Sequence, residues 1–281
     1  MTLRIAIPTD FSPHAEKAAA FTLDLFRNRP CRFYLVHTYT PSFFRADYLL
    51  HSPGQIGLGD FYKQQVLDQL EAFKQQLIAR SNPELHDFLI HAAFDNLDAS
   101  LNEMARKEKL DLIAMGTQGA TGAKEVLIGT NAVRVLHKSK VPVLVIPEKA
   151  VADEVQNVLF PTDFKVNFKK LSFSVLEQIL KRNGVTLHIL HTYSSQDTDP
   201  KRIKNRETLK KLLQGATLEW SDQGEQDMIT ALNEFATRVP VQLLVMVRNQ
   251  HTFLENILVT PVIDHIGFHT RIPFLVLPPA K

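Results

Sequence analysis

Cysteine is nearly absent: the 281-residue chain holds one, Cys31. A single thiol excludes an internal disulfide framework and a cysteine-based metal cluster. At the start of an apolar run it reads as a small buried hydrophobe. Excess charge is also missing. The 32 basic and 30 acidic residues leave a formal net charge of +2, which argues against a nucleic-acid binder working by bulk charge. No apolar run approaches the roughly 20 residues that a membrane helix needs. The opening MTLRIAIPTDFS runs straight into a strand pattern and carries no signal-peptide pattern. The expectation is a cytoplasmic protein that engages neither membrane nor nucleic acid. Two phosphate-binding signatures are missing as well: there is no Gly-Lys-Ser/Thr, and no acidic residue placed for the ribose of a dinucleotide fingerprint.

What is present is organised around residues 111–147, DLIAMGTQGATGAKEVLIGTNAVRVLHKSKVPVLVIP. Leu112 to Met115 is a short apolar run, as in a buried strand of a parallel sheet. Gly116 ends it, and a loop with Gly119 and Gly122 comes next. Gly129, Thr130 and Asn131 then stand directly before a helical pattern with Val133, Val135 and Leu136, and a second apolar run, 143–146, closes the stretch after Pro142. Glycines let a backbone approach a ligand closely or adopt positive φ. A helix starting near Thr130 presents unpaired N–H groups and the positive end of its dipole, which suits phosphate. Thr130 and Asn131 add side-chain donors. The plainer alternative is a glycine-rich turn in which Thr130 is an ordinary N-cap.

The rest of the first half alternates strand and helix, the pattern of a parallel α/β sheet. Residues 3–8 form a short apolar strand, followed by Thr9-Asp10-Phe11-Ser12-Pro13. Ser12 suits an N-cap, Pro13 the first helical position, and Ala15, Ala18, Ala19, Leu23 and Phe26 one helix face. The spacing predicts strands over 33–37 and 86–93, and helices over 62–79 and from Leu97 through Leu101, Met104 and Ala105. Residues 40–60 show no periodicity and read either as a lid or as an apolar patch packed on the other half. With the central stretch, five strands are complete by Pro147. Residues 148–156 are polar and read as a linker.

The remainder of the chain repeats the first half. VLFPTDF at 158–164 restates residues 5–11, His191-Thr192-Tyr193 restates His37-Thr38-Tyr39, and 242–278 overlays 111–147 without a gap. The chemistry does not repeat. Gly116, Gly119, Gly129 and Thr130 correspond to Val247, Gln250, Thr260 and Pro261, and proline has no N–H to donate. Asp163 keeps the place of Asp10. A polar segment, 194–206, replaces the long loop.

The pattern Gly116, two residues, Gly119, nine residues, Gly129-Thr130-Asn131 resembles the ATP-binding branch of the universal stress protein family. The likeness extends through VPVLVIP at 141–147 and through Pro8-Thr9-Asp10-Phe11-Ser12. It implies a tandem of two Rossmann-like α/β domains, 1–148 with an intact site and 149–281 with a degenerate one. Each would be a five-stranded parallel sheet with helices on both faces, packed as a pseudo-dimer through 143–146 and 274–277. The cofactor implied is ATP, or AMP or ADP, with Mg2+ as a possible companion. Gly116, Gly119, Gly129, Thr130 and Asn131 would hold ribose and phosphates; Asp10, Thr38 and Met115 would line the adenine site, and Pro8 and Thr9 count among the cofactor-binding residues. Asp95-Asn96-Leu97 stands where relatives usually have Gly-x-Pro, which leaves ribose contacts at that turn open. No catalytic residue and no metal ligand is assigned. Partners expected are an adenine nucleotide, an unknown regulatory protein and a second copy of the chain. The rival readings are a slow ATP hydrolase, with Gln118 orienting a water, and a module that binds a non-nucleotide ligand or a protein through Arg248, His251, His265, His269 and Arg271.

Overall fold

A computed structural model describes residues 2–39, 58–117, 128–152, 155–192, 199–224, 226–248 and 272–279, with the backbone alone for 58–62. Among the described residues nine elements precede Pro147. They are β1 (Leu3–Pro8), α1 (Pro13–Leu25), β2 (Cys31–Thr38), α2 (Leu58–Ile78), β3 (His86–Ala93), α3 (Leu97–Lys107), β4 (Leu112–Gly116), α4 (Thr130–Lys138) and β5 (Val143–Ile146). After them come β6 (Asn157–Pro161), a 3-10 turn (Phe168–Lys170), α5 (Ser174–Leu180), β7 (Thr186–Thr192), α6 (Pro200–Leu212), β8 (Thr217–Gln223), α7 (Met228–Arg238), β9 (Leu243–Val247) and β10 (Phe274–Leu277).

All ten strands belong to one sheet, in the order β3-β2-β1-β4-β5-β10-β9-β6-β7-β8. Every neighbouring pair is parallel except β5 with β10, which run antiparallel with Leu144 opposite Leu275. The order on one side of that join, 3-2-1-4-5, is restated on the other as 8-7-6-9-10. The two last strands therefore meet as the sequence leads one to expect. Each would otherwise be an apolar edge open to association, and here Leu144 and Leu275 are both 0% exposed.

Strand alternation sorts the core onto the two faces of the sheet. Ile5 and Ile7 point into one layer with Phe26, Phe33 and Leu112; Ala6 points into the other with Tyr34, Ile113 and Met115. Both layers run through the join. Leu144, Ile146, Leu275 and Leu277 belong to the first, and Val143, Val145, Phe274 and Val276 to the second.

Three segments differ from the sequence expectation. Helix α2 starts at Leu58, earlier than 62, so Gly59 lies within it; a glycine weakens a helix by about 1 kcal/mol but does not forbid it. Residues 200–206, read as polar loop, open helix α6: Asp199 caps it, its Oδ1 accepting from the Lys201 N–H at 2.8 Å, and Pro200 takes the first position. The 148–156 linker is partly core, with Ala150, Ala152 and Val155 buried. The proposed lid lies mostly in 40–57, outside the described residues. Among the described residues no helix is long and apolar enough to cross a membrane.

Candidate functional site

In a parallel sheet, ligands bind outside the carboxyl ends of the strands where the order reverses. In the first half that point lies between β1 and β4, since β1 pairs β2 on one side and β4 on the other. A cavity of about 390 Å³ opens there, within the range of small-molecule sites. It is lined by Pro8, Thr9 and Asp10 after β1, His37 and Thr38 ending β2, Met115, Gly116 and Thr117 at β4, and Gly129 to Ala132 at the start of α4, with Ala15 and Leu97. Nine of the ten residues singled out from sequence are thus brought together. The tenth, Gly119, lies outside the described residues.

Burial grades across the cavity. Pro8, Thr9 and Met115 are buried, while Thr130 and Asn131 are exposed at the opposite end. Asp10, on the same turn as Pro8 and Thr9, is exposed, and His37 and Thr38 are half-buried.

The turn after β1 is a self-contained device. The Thr9 hydroxyl accepts from the Phe11 N–H at 3.0 Å, and Asp10 Oδ1 accepts from the Ser12 N–H at 3.1 Å. Phe11 takes φ 60°, a left-handed conformation uncommon for a bulky residue. It is held by stacking on His37, ring centroids 4.8 Å apart, while His37 Nδ1 bonds the Thr9 carbonyl at 2.7 Å. So His37 fixes the loop that presents Asp10. Ser12 caps α1 through the Ala15 N–H, as expected.

Helix α4 shows why glycine stands before it. The N-cap is Gly129, with no side-chain cap, so Thr130 is the first helical residue and not the cap. Gly129 has φ −63° and ψ 151°, and positive φ among the described glycines occurs only at Gly184. Neither Gly116 nor Gly129 is needed for an unusual φ. Gly129 carries no side chain at the N-cap, where a serine, threonine, aspartate or asparagine would cap the first-turn N–H groups. Its own N–H donates to the Thr117 carbonyl at 2.6 Å, which ties α4 to the end of β4. The sequence did not single out Thr117, because its contribution is a backbone carbonyl.

The other end of α4 is tied by side chains. Lys138 pairs with Asp98 of α3 at 2.9 Å, holding that carboxyl below the usual aspartate range. Asn102 donates to the Lys138 carbonyl at 3.1 Å and accepts from the Lys140 N–H at 3.2 Å.

In the second half the turn is reproduced. Thr162 accepts from the Phe164 N–H at 3.1 Å, Asp163 from the Lys165 N–H at 3.0 Å, and Phe164 has φ 54°. His191 Nδ1 bonds the Thr162 carbonyl at 2.9 Å. Val247 ends β9 where Gly116 ends β4; Gln250, Thr260 and Pro261 lie outside the described residues. Among the described residues no group of three His, Cys, Asp or Glu could hold a metal.

A Rossmann-like half with an uncapped helix N-terminus at the switch point places the chain among the doubly wound α/β proteins. The universal stress protein family model matches residues 1–147, more than half of the chain. The chain belongs to the universal stress protein family. Universal stress protein MJ0531 of Methanocaldococcus jannaschii is 28% identical over 144 residues, covering 51% of this chain and 81% of that protein. Among solved structures, a universal stress protein from Archaeoglobus fulgidus matches with a TM-score of 0.65 at 16% identity, covering 99% of this chain and 97% of its own. The cytoplasmic domain of a prokaryotic cation chloride cotransporter matches with a TM-score of 0.54 at 10% identity, covering 99% and 95%. Likeness at such identities speaks to fold alone, and the second match illustrates that one architecture serves different proteins.

Proposed function

We propose that this is a tandem universal stress protein that binds one ATP per chain, in the domain formed by residues 1–148. Residues 149–281 would form a second copy of the domain with a decayed site. The observation that carries the reading is the convergence of Asp10, Thr38, Met115, Gly116, Gly129, Thr130 and Asn131 on one cavity at the sheet's switch point.

The residues fit the nucleotide. The buried end, with Pro8, Thr9 and Met115, suits an adenine ring, and Asp10 and the Thr38 backbone offer polar edges beside it. The exposed end suits phosphates: first-turn N–H groups of α4, the Thr130 hydroxyl and the Asn131 amide are donors, and Gly129 leaves space for oxygen atoms to reach them. Gly119, on the 118–127 segment between β4 and α4, completes the family pattern. AMP or ADP would use the same base end. Mg2+ would enter with the phosphates and keep several of its waters.

The second copy is supported by the restated strand order and by the Thr162-Asp163-Phe164 turn. Its loss of binding follows from chemistry: Val247 occupies a glycine position, and Pro261 has no N–H to offer phosphate. A nucleotide sensor acting on a protein partner in the cytoplasm, as a monomer or as a pair of chains, is the role that goes with one retained and one lost site.

Denaturing the purified protein and identifying released small molecules by mass spectrometry tests this. An adenine nucleotide is expected, and calorimetric titration of the stripped protein should then show its rebinding. Release of a different ligand, with no heat on adding ATP, would overturn the reading. Steady-state turnover distinguishes it from a slow hydrolase.

A further inference from the structure

The antiparallel join has a geometric consequence. Helix α4 runs back from the carboxyl edge of the first half's strands, so its C-terminus lies at their amino edge, next to β5. Because β5 and β10 are antiparallel, that amino edge adjoins the carboxyl edge of β9 and β10. Arg248, the residue after β9, sits on this edge; its N–H donates to the Leu277 carbonyl at 2.8 Å. Its guanidinium crosses the join. Nη1 donates to the Leu136 carbonyl at 2.6 Å and Nη2 to the Ser139 carbonyl at 2.8 Å.

These are carbonyls of the last turn and cap of α4, which a helix leaves unpaired. A cation there also complements the negative end of the helix dipole. Arg248 is half-buried, burial pulls its pKa down, and among the described residues no carboxylate pairs with it. The carbonyls are what compensate its charge, so the contact is not an incidental surface one. Arg248 also occupies the second half's counterpart of Thr117, beside that half's own switch point between β6 and β9.

We infer that Arg248 is a positioning residue through which the second half sets helix α4, and hence the donor end of the first-half cavity about 13 Å away along the helix. The consequence for ATP rests on the proposed function; the positioning of α4 does not. A rigid helix clamped at its C-terminus by Arg248, Asn102 and Lys138 presents Thr130 to Ala132 in one place. A change in the second half that moves β9's end moves that clamp. Coupling of this kind is reciprocal, so ATP bound in the first half would in turn hold Arg248.

The test uses the full chain with Arg248→Met, which keeps the stem and removes charge and donors. Arg248→Lys keeps the charge with one donor group, and Arg238→Met, at the exposed end of α7, is the control. Amide chemical shifts are recorded without nucleotide, and ATP affinity by calorimetry. Arg248→Met should move the amides of Thr130 to Ala132, not only those of 136–141, and weaken ATP at least about fivefold. Arg248→Lys should recover part of both, and Arg238→Met should change neither. Shift changes confined to 136–141 in Arg248→Met would overturn the inference. ATP affinity within twofold of wild type in Arg248→Met would do the same. If the wild-type chain binds no ATP, the proposed function falls, and the amide shifts alone decide the positioning role.

Discussion

Replacing Gly129 with valine separates the binding role of helix α4 from its structural one. The backbone at this position, φ −63° and ψ 151°, is open to any L residue, so valine needs no strained conformation. The structural cost is that of a poor N-cap, about 1 kcal/mol at most, or a few degrees in melting temperature for a chain of this size. The binding cost is larger. The side chain would stand beside the first-turn N–H groups and keep phosphate from reaching them. Losing two charge-assisted hydrogen bonds at about 1.5–3 kcal/mol each removes at least about 3 kcal/mol, on the order of 100-fold in affinity. Calorimetric titration gives the affinity, and a thermal melt by circular dichroism checks the fold. Gly129→Ala, adding one methyl, should fall between. A valine variant with wild-type affinity would mean that the phosphates do not sit at α4.

Other residues give independent checks. Asp10→Ala should weaken ATP by about 1–3 kcal/mol, the cost of leaving a polar group of the bound base without its partner, while Asp163→Ala should leave the titration unchanged. Cys31, whose pKa burial raises to about 12, should resist thiol reagents at pH 8 until denaturant is added; rapid labelling of the folded protein would contradict its burial. The Asp98 carboxyl is held down chiefly by its bond from Lys138. A lowered folded-state pKa contributes stability that is present above the ordinary aspartate value near 3.9 and lost as pH falls through the lowered one. Wild type should therefore lose melting temperature below about pH 4 more steeply than Asp98→Asn. Parallel pH profiles for the two proteins would show the pair to be inert.

The strands were legible because buried parallel strands are short apolar runs with sharp ends; 86–93 and 143–146 match to the residue. The gapless repeat made the β5–β10 pairing legible too, since two equivalent apolar edges have each other to cover. Helix α6 was not legible by periodicity, because Leu209 is its one buried residue. It is held instead by polar contacts: the Arg206 guanidinium lies 5.0 Å from the Trp220 ring centroid and pairs with Asp222 at 2.9 Å. Only the Asp199-Pro200 start signalled it. At the site, side-chain identities were readable and backbone roles were not. Thr117 contributes a carbonyl, His37 a bond to a loop carbonyl, and Arg248 two bonds to carbonyls far away in sequence. No residue pattern encodes such contacts, because any residue carries a carbonyl. That Gly129 is not required for a positive φ also emerged only from its dihedral angles.

The most direct measurement is a calorimetric titration of the nucleotide-free 281-residue chain with ATP, repeated on the Gly129→Val variant. One equivalent per chain in wild type, lost in the variant, is the predicted result. Two equivalents, or one that persists undiminished in Gly129→Val, would contradict a single site built on the N-terminus of helix α4.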